Sequence, residues 1–161
     1  MLAIPICGDK DNVRHCLPCR VRLDNHIRAV FLHSLASGKS TQVTDGMSDA
    51  TDACFSRDGK YLATSSFDGT AKIWDISATL KSGAFPREVL TYTGHVKPGT
   101  TSNWAFDVAL SPDGQRVASV GSDAMLRVWD TSTGIDRLVL PGGESAINTT
   151  SDAISPDGSL I

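Results

Sequence analysis

The sequence has few cysteines, no long hydrophobic run and no large excess of charge of one sign. Four cysteines in 161 residues are too few for a dense disulfide framework, so a reducing compartment, the cytoplasm, is expected. No segment approaches the roughly 18 apolar residues that span a bilayer, and no membrane association is expected. A net charge of −3 gives no general attraction to nucleic acid. These absences favour a soluble protein whose partner is neither nucleic acid nor a membrane.

Three of the four cysteines lie near the N-terminus, where a metal site has to be considered. Cys16 and Cys19 have the Cys-x-x-Cys spacing of half a zinc site, and Cys7 could add a third thiolate. A second Cys-x-x-Cys pair is missing, whereas structural zinc takes four ligands. We therefore predict no metal and no cofactor, and keep a small zinc-binding protein as one alternative. Residues 1–25 do not follow the pattern of the later chain and are predicted to be irregular.

The usual motifs of enzyme active sites are also missing. Residues 33–40 contain the Gly-Lys-Ser of a phosphate-binding loop, but His33 replaces its first glycine and a β-prone run follows where a helix is required. The segment around Ser145 fails the last position of a Gly-x-Ser-x-Gly nucleophile turn. Most aspartates stand beside Gly, Ser or Phe in connections, where a carboxylate caps backbone N–H groups. The chain is therefore predicted not to be an enzyme.

What the sequence does contain is a repeated unit of short strands and tight turns. Residues 109–130 form apolar-alternating runs that are separated by Ser-Pro-Asp-Gly and Ser-Asp-Ala turns. A similar unit occupies residues 55–75, and a third begins near the C-terminus. The turn aspartates Asp58, Asp113 and Asp157 are 55 and 44 positions apart. A period of about 40–45 residues that ends in Trp-Asp is typical of four-stranded propeller blades.

These patterns predict an all-β fold, a partial β-propeller with about two full four-stranded antiparallel blades and flanking part-blades. The extra length of the first repeat is assigned to loops at residues 77–86 and 96–103. Because the end strands would expose unpaired edges, we expect the remainder of a longer chain or self-association to complete the propeller. The predicted parts of the domain are a hairpin at 26–46, full blades at 50–94 and 104–140, and a partial blade at 151–161.

Residues 52–161 resemble the WD-repeat family of β-propellers. The second repeat carries a Gly-His pair, then a Ser-Pro-Asp-Gly turn, and then a terminal Trp-Asp, in the order of that family. In the family, four side chains form a hydrogen-bonded chain inside the blade. The resemblance places that chain on His95, Ser119, Asp123 and Trp129. The first repeat lacks the Gly-His pair, so the resemblance leaves it Thr64, Asp68 and Trp74.

Residues 27–62 carry a weaker resemblance, to the propeller blades of tricorn-type peptidases. It rests on the segments LASGKSTQVTDG and RDGKYL. This resemblance implies a non-catalytic propeller that filters what reaches a serine-peptidase core. None of that family's catalytic part is recognisable in the chain, and the substrate-gating propeller is kept as an alternative.

Binding is the function that a propeller scaffold most readily supports, because loops on rigid sheets carry recognition. Phe67 is either a contact anchor or folded back on its blade, and Trp104 is interpreted as a core residue at a strand start. The sequence therefore predicts a non-catalytic protein–protein interaction scaffold whose partners are other proteins or peptides. The predicted partner-binding surface comprises Phe67, Lys97, Asn103, Trp104 and Ser122.

Overall fold

A computed structural model describes residues 19–24, 29–34, 38–44, 49–100, 103–142 and 154. These residues are almost entirely extended, with one short helix. The elements are β1 (Cys19–Asp24), β2 (Ala29–Ser34), β3 (Ser40–Gln42), β4 (Ala50–Phe55), β5 (Tyr61–Ser66), β6 (Ala71–Asp75), α1 (Ser77–Ser82), β7 (Arg87–Tyr92), β8 (Ala105–Leu110), β9 (Arg116–Gly121), β10 (Met125–Asp130) and β11 (Asp136–Pro141).

The strands form three separate antiparallel sheets in which chain neighbours pair. Strands β4 to β7 make one four-stranded sheet and β8 to β11 make a second, each in sequential order. Strands β1 to β3 make a three-stranded sheet in the same order. The predicted all-β fold of four-stranded antiparallel blades is confirmed.

Two parts of the chain differ from expectation. Residues 1–25 were expected to be irregular, but Cys19–Asp24 form β1, which pairs along its whole length with β2. The predicted hairpin at 26–46 is therefore the outer part of a three-stranded sheet. The predicted loop at 77–86 contains α1, whose Leu80 packs on the core and whose end is set by Gly83 in the left-handed conformation (φ 73°). The predicted partial blade at 151–161 lies outside the described residues, apart from Ile154.

The turns that recur in the sequence are built alike in both four-stranded sheets. In the β4–β5 turn the Ser56 hydroxyl donates to the Asp58 carboxylate at 2.8 Å, and in the β8–β9 turn Ser111 donates to Asp113 at 2.6 Å. Each serine oxygen also accepts the backbone N–H that opens the next strand. The following glycine has a φ of 69° in both turns, a conformation that disfavours side chains. The repeated Ser-x-Asp-Gly sequence thus specifies a repeated turn.

The first four-stranded sheet buries both of its faces, because alternate residues of a strand pack on different neighbours. In β4, Ala53 and Phe55 pack towards the three-stranded sheet, and Cys54 between them packs towards the second four-stranded sheet. The first of these layers consists of Val30, Leu32, Val43, Ala53, Phe55, Leu62, Trp74 and Ile76. The second consists of Cys54, Ala63, Ala71, Ile73, Tyr92, Val108, Leu110, Val117 and Trp129.

A pair of carboxyl groups joins the first strands of the two four-stranded sheets. Asp52 and Asp107 each stand four positions before the turn serine of their repeat, just after an irregularity in strand pairing. Their side chains are hydrogen-bonded to each other. Burial first, and then the hydrogen bond to and the charge of Asp107, raises the pKa of Asp52 to about 8. Two charged carboxylates in hydrogen-bond contact would repel each other, so the contact is favoured when Asp52 is protonated.

We predict that Asp52→Asn stabilises the fold at alkaline pH. The pKa of Asp52 is 3.8 when unfolded and about 8 when folded, so folding takes up a proton between these values and wild-type stability falls as the pH rises through that window. The side-chain amide of the Asp52→Asn variant donates a hydrogen bond to Asp107 at any pH. The free energy of unfolding should therefore rise by about 1–3 kcal/mol relative to wild type at pH 8 and change little at pH 4.5. Denaturant unfolding of both chains at the two pH values measures this.

Asp58→Asn is the matched control, since it removes the same charge from an exposed turn. The Asp58 pKa is lowered, because the hydrogen bonds from Lys60 and Ser56 outweigh the effect of burial. This variant should therefore gain no stability at pH 8. An equal gain in both variants would show that net charge, and not the carboxyl pair, is responsible.

Candidate functional site

The second four-stranded sheet contains a buried chain of hydrogen bonds. The ring nitrogens of His95 lie 2.8 Å from Asp123 Oδ1 and 2.8 Å from Ser119 Oγ. The indole N–H of Trp129 donates to the same Ser119 oxygen at 3.1 Å. His95, Ser119 and Trp129 are fully buried. The structure therefore joins four residues from the connection after β7, from β9, from the β9–β10 turn and from β10.

One arrangement of protons satisfies every member of this chain. His95 Nδ1–H donates a hydrogen bond to the carboxylate of Asp123. The unprotonated Nε2 then accepts a hydrogen bond from the hydroxyl of Ser119. Ser119 can then accept from Trp129. Burial lowers the pKa of His95, outweighing the opposite effect of Asp123, so the ring is neutral at pH 7 as this arrangement requires. The buried polar groups of these four side chains are thus hydrogen-bonded to one another and stabilise the sheet.

A second group of side chains, which the sequence analysis did not identify, ties this chain to the neighbouring sheet. Arg127 donates to Asp123 at 2.9 Å and to Asp136 at 3.0 Å, and Asp136 accepts the hydroxyl proton of Tyr92 at 2.5 Å. The Tyr92 ring, which belongs to β7, stacks on Trp129 with 4.4 Å between centroids. The only signal in the sequence is an arginine inside the apolar run of β10. Asp123 and Asp136 lie four and nine residues from Arg127, but Tyr92 is 44 residues from Asp136 and could not be paired with it from spacing.

Glycine is required where the backbone passes this network. A Cβ atom on Gly121 would lie 2.5 Å from His95 Nδ1 and 2.6 Å from the carbonyl oxygen of Trp104. A Cβ atom on Gly94 would lie 2.0 Å from the hydroxyl oxygen of Tyr92. Close packing around the histidine therefore depends on two positions without side chains.

The first four-stranded sheet has a reduced version of the chain. The Trp74 indole N–H donates to Thr64 Oγ1 at 3.0 Å. Asp68 does not join them, since its carboxylate accepts the N–H and the hydroxyl of Thr70 within its own exposed turn. The first repeat has no Gly-His pair in its sequence, and its Asp68 caps the β5–β6 turn instead.

Above the buried chain, three aromatic rings form a surface that we call the rim patch, made of Phe67, Trp104 and Phe106. The Phe67 and Trp104 rings meet edge to face with 5.5 Å between centroids, and Trp104 and Phe106 do so at 5.9 Å. Phe67 lies in the β5–β6 turn, and Trp104 directly precedes β8. The patch therefore spans the junction of the two four-stranded sheets.

Trp104 is 41% exposed, so its interpretation as a core residue is wrong. The two outer neighbours in the patch, Phe67 and Phe106, are half-buried. The ring of Trp104 lies outside because β8 begins only at Ala105, and the alternation that buries strand residues does not yet apply to it. The Phe67 ring packs against Trp104 and is partly exposed. It therefore has features of both interpretations, a contact anchor and a ring packed on its own blade.

Hydrogen bonds fix the backbone under the rim patch. Trp104 N–H donates to Ser122 Oγ at 2.8 Å, and Ser122 N–H donates to the Trp104 carbonyl at 2.8 Å. Asn103 Oδ1 accepts from the backbone N–H of Lys97 at 2.8 Å and from Thr100 Oγ1 at 2.6 Å. The predicted surface residues Phe67, Lys97, Asn103, Trp104 and Ser122 are thus brought to one end of the sheets. The described backbone at this end is therefore hydrogen-bonded to neighbouring turns.

Neither a metal centre nor a membrane span is found in the described part of the chain. Among those residues, no group of three or more His, Cys, Asp or Glu side chains could hold a metal ion. Cys7 and Cys16 lie outside the described residues, and only the backbone of Cys19 is described. No described helix is long and apolar enough to cross a bilayer.

Successive four-stranded meanders that stack face to face, one of them holding a buried His–Ser–Asp–Trp chain, define a class of repeat proteins, the β-propellers. The family description "WD domain, G-beta repeat" matches residues 38–75 and 86–130, which is more than half of the chain. The chain therefore belongs to this family. Its matched segments end at the Trp-Asp pairs that close β6 and β10.

Proteins of the same kind are similar over part of their length. The chain is 40% identical over 84 residues to a WD repeat-containing protein 26 homolog of Arabidopsis thaliana, covering 50% of this chain and 12% of the relative. It is 32% identical over 111 residues to a WD repeat-containing protein WDS homolog of Arabidopsis thaliana, covering 66% and 18%. It is 32% identical over 104 residues to WD repeat domain-containing protein 83 of Danio rerio, covering 65% and 30%. The chain thus spans less than a third of each relative.

These matches decide between the two family resemblances. The WD family match begins at residue 38 and runs through the rest of the segment for which a tricorn-type resemblance was noted. The peptidase-gating alternative and the small zinc-binding alternative have no support from these relatives.

We predict that Ser119→Ala destabilises the fold more than Thr64→Ala. The first substitution leaves two buried groups without their partner, the Trp129 N–H and His95 Nε2. The second leaves only the Trp74 N–H. At about 1–2 kcal/mol for each unsatisfied group, the expected losses are about 2–4 and about 1–2 kcal/mol. Denaturant unfolding of both variants measures the difference, and equal losses would contradict a chain that runs through Ser119.

Proposed function

We propose that this WD-repeat chain is a non-catalytic scaffold that binds other proteins or peptides through the rim patch. Support comes from one observation above the others, namely that Trp104 is exposed and yet held rigidly. Tryptophan residues at the centre of a contact contribute strongly to protein binding. A ring that is already ordered loses little entropy when a partner covers it.

Absence of catalysis belongs to the same proposal. The histidine and aspartate that an enzyme could use, His95 and Asp123, are buried and bonded to each other and to structural partners. The exposed aspartates at Asp58, Asp68 and Asp113 accept hydrogen bonds from their own turns. Carboxylates that cap their own turns in this way have a structural role.

We further propose a cytoplasmic location and partners other than nucleic acid or membranes. The sparse cysteines and the overall charge of −3 support both parts of this proposal.

The outward face of the second four-stranded sheet supports completion of the propeller by further strands. Leu126 and Val128 on this face pack with Ile154. Leu138 and Leu140, which pair with them from β11, are 44% and 43% exposed. An apolar face of this kind is stabilised when another sheet covers it. We propose that the remainder of a longer chain supplies that sheet, with self-association as the second route.

We predict that Trp104→Ala removes bound partners while leaving the fold intact. The ring is exposed, so its loss should change the free energy of unfolding by less than about 1 kcal/mol. Quantitative affinity capture from cell extract, using the full chain, should recover at least about tenfold less of the proteins enriched by wild type.

Phe85→Ala is the matched control for this capture. Phe85 is 64% exposed but lies after α1, in the connection between β6 and β7. Its substitution removes a similar apolar area and should leave the captured set unchanged. Undiminished capture by Trp104→Ala, or equal loss in the two variants, would contradict the assignment of the rim patch.

A further inference from the structure

We propose that the rim patch selects a basic segment of the partner protein, with an arginine or lysine side chain lying over Trp104 beside Asp68. This inference rests on the proposed function and names the chemistry of the partner. It is carried by the aromatic geometry, by the position of acidic groups around the patch and by the charge of the repeats.

The aromatic rings are arranged to accept a cation. The Phe67 and Phe106 rings both stand at steep angles to the Trp104 ring, with interplanar angles of 71° and 65°. Trp104 remains 41% exposed after both contacts. The face of an indole ring attracts a cation more strongly than the face of a phenyl ring. An exposed indole that its neighbours hold in place is therefore a suitable seat for a guanidinium or ammonium group.

Acidic residues flank the same rings. Asp68 follows Phe67 in the β5–β6 turn, and its side chain is exposed. The turn lies directly against the Trp104 connection, because a Cβ on Gly69 would approach the Asn103 carbonyl oxygen to 2.8 Å. The backbone N–H of Phe67 donates to the carbonyl oxygen of Asp49 at 2.9 Å, which places a second acidic residue next to Phe67. Two carboxylate-bearing residues thus border the patch on the side of the first four-stranded sheet.

One positive charge at this end of the sheets, that of Lys97, would favour an acidic partner. Lys97 lies on the side of the second sheet, and its ammonium group is 3.4 Å from the Asp123 carbonyl oxygen. It is one cation against two carboxylate-bearing residues. Residues 41–161 carry nine Lys and Arg against fifteen Asp and Glu. The local and the overall charge both favour approach of a basic segment over an acidic one.

The test uses two capped peptides, Gly-Arg-Gly-Arg-Gly and Gly-Glu-Gly-Glu-Gly, added to the full chain labelled with ¹⁵N. The indole N–H signals of the tryptophans are followed by NMR. Those of Trp74 and Trp129 are internal controls, because both indoles are buried and hydrogen-bonded. The arginine peptide should shift the Trp104 signal in a saturable manner and leave the other two in place. The glutamate peptide should cause no saturable shift.

Three variants distinguish specific binding of the arginine peptide at the rim patch from non-specific electrostatic attraction. Asp68→Asn should weaken binding of the arginine peptide about threefold, the expected scale for one exposed charge pair. Lys97→Ala should leave the affinity unchanged or raise it. Asp58→Asn, which removes the same charge at the opposite end of the sheet, should leave the affinity unchanged.

Several results would overturn the inference. They are stronger binding of the glutamate peptide, binding of neither peptide, and equal weakening by Asp68→Asn and Asp58→Asn. Each of these leaves the proposed function standing if Trp104→Ala still abolishes capture of partner proteins. Undiminished capture by Trp104→Ala removes the proposed function itself, and the two failures are therefore distinguishable.

Discussion

Burial of both faces is the constraint on which the first four-stranded sheet depends. In β4, consecutive side chains point to different neighbouring sheets, so Phe55 and Cys54 belong to different apolar layers. A slip of one residue in register would exchange these layers and place polar side chains in both. Small residues such as Ala63 and Ala71 occupy one layer where the larger Ile73 and Trp129 need room. The sheets are therefore stable as a stack and not singly.

Polar groups enter this apolar stack only where their hydrogen bonds are satisfied. The buried chain from Trp129 to Asp123 meets that condition, and Arg127 extends it to the outer strand and to Tyr92 of the adjacent sheet. A buried donor without an acceptor would lower the stability of the fold by more than a satisfied hydrogen bond raises it. The network thus fixes both the connection that carries His95 and the stacking of one sheet on the next.

The rim patch follows from that fixed connection. The segment from His95 to Trp104 is held at its start by the buried chain and at its end by the reciprocal bonds with Ser122. An aromatic ring can therefore stand partly in solvent without losing its orientation. The neighbouring acidic residues underlie the preference for a basic segment that we propose, since aromatic faces and carboxylates both stabilise positive charge. The proposed recognition surface thus depends on the packing beneath it.

The sequence by itself determined the repeated strands, the Ser-x-Asp-Gly turns and the residues of the buried histidine chain, because these depend on local periodicity, turn chemistry and family pattern. The sequence also predicted a partner-binding surface made of Phe67, Lys97, Asn103, Trp104 and Ser122. Tertiary structure alone decided that Cys19–Asp24 form a strand, that Tyr92 and Asp136 meet, that the side chains of Asp52 and Asp107 meet, and that Trp104 is exposed. Each of these depends on contacts between residues far apart in the chain or on the point where a strand begins, and no local pattern encodes such contacts.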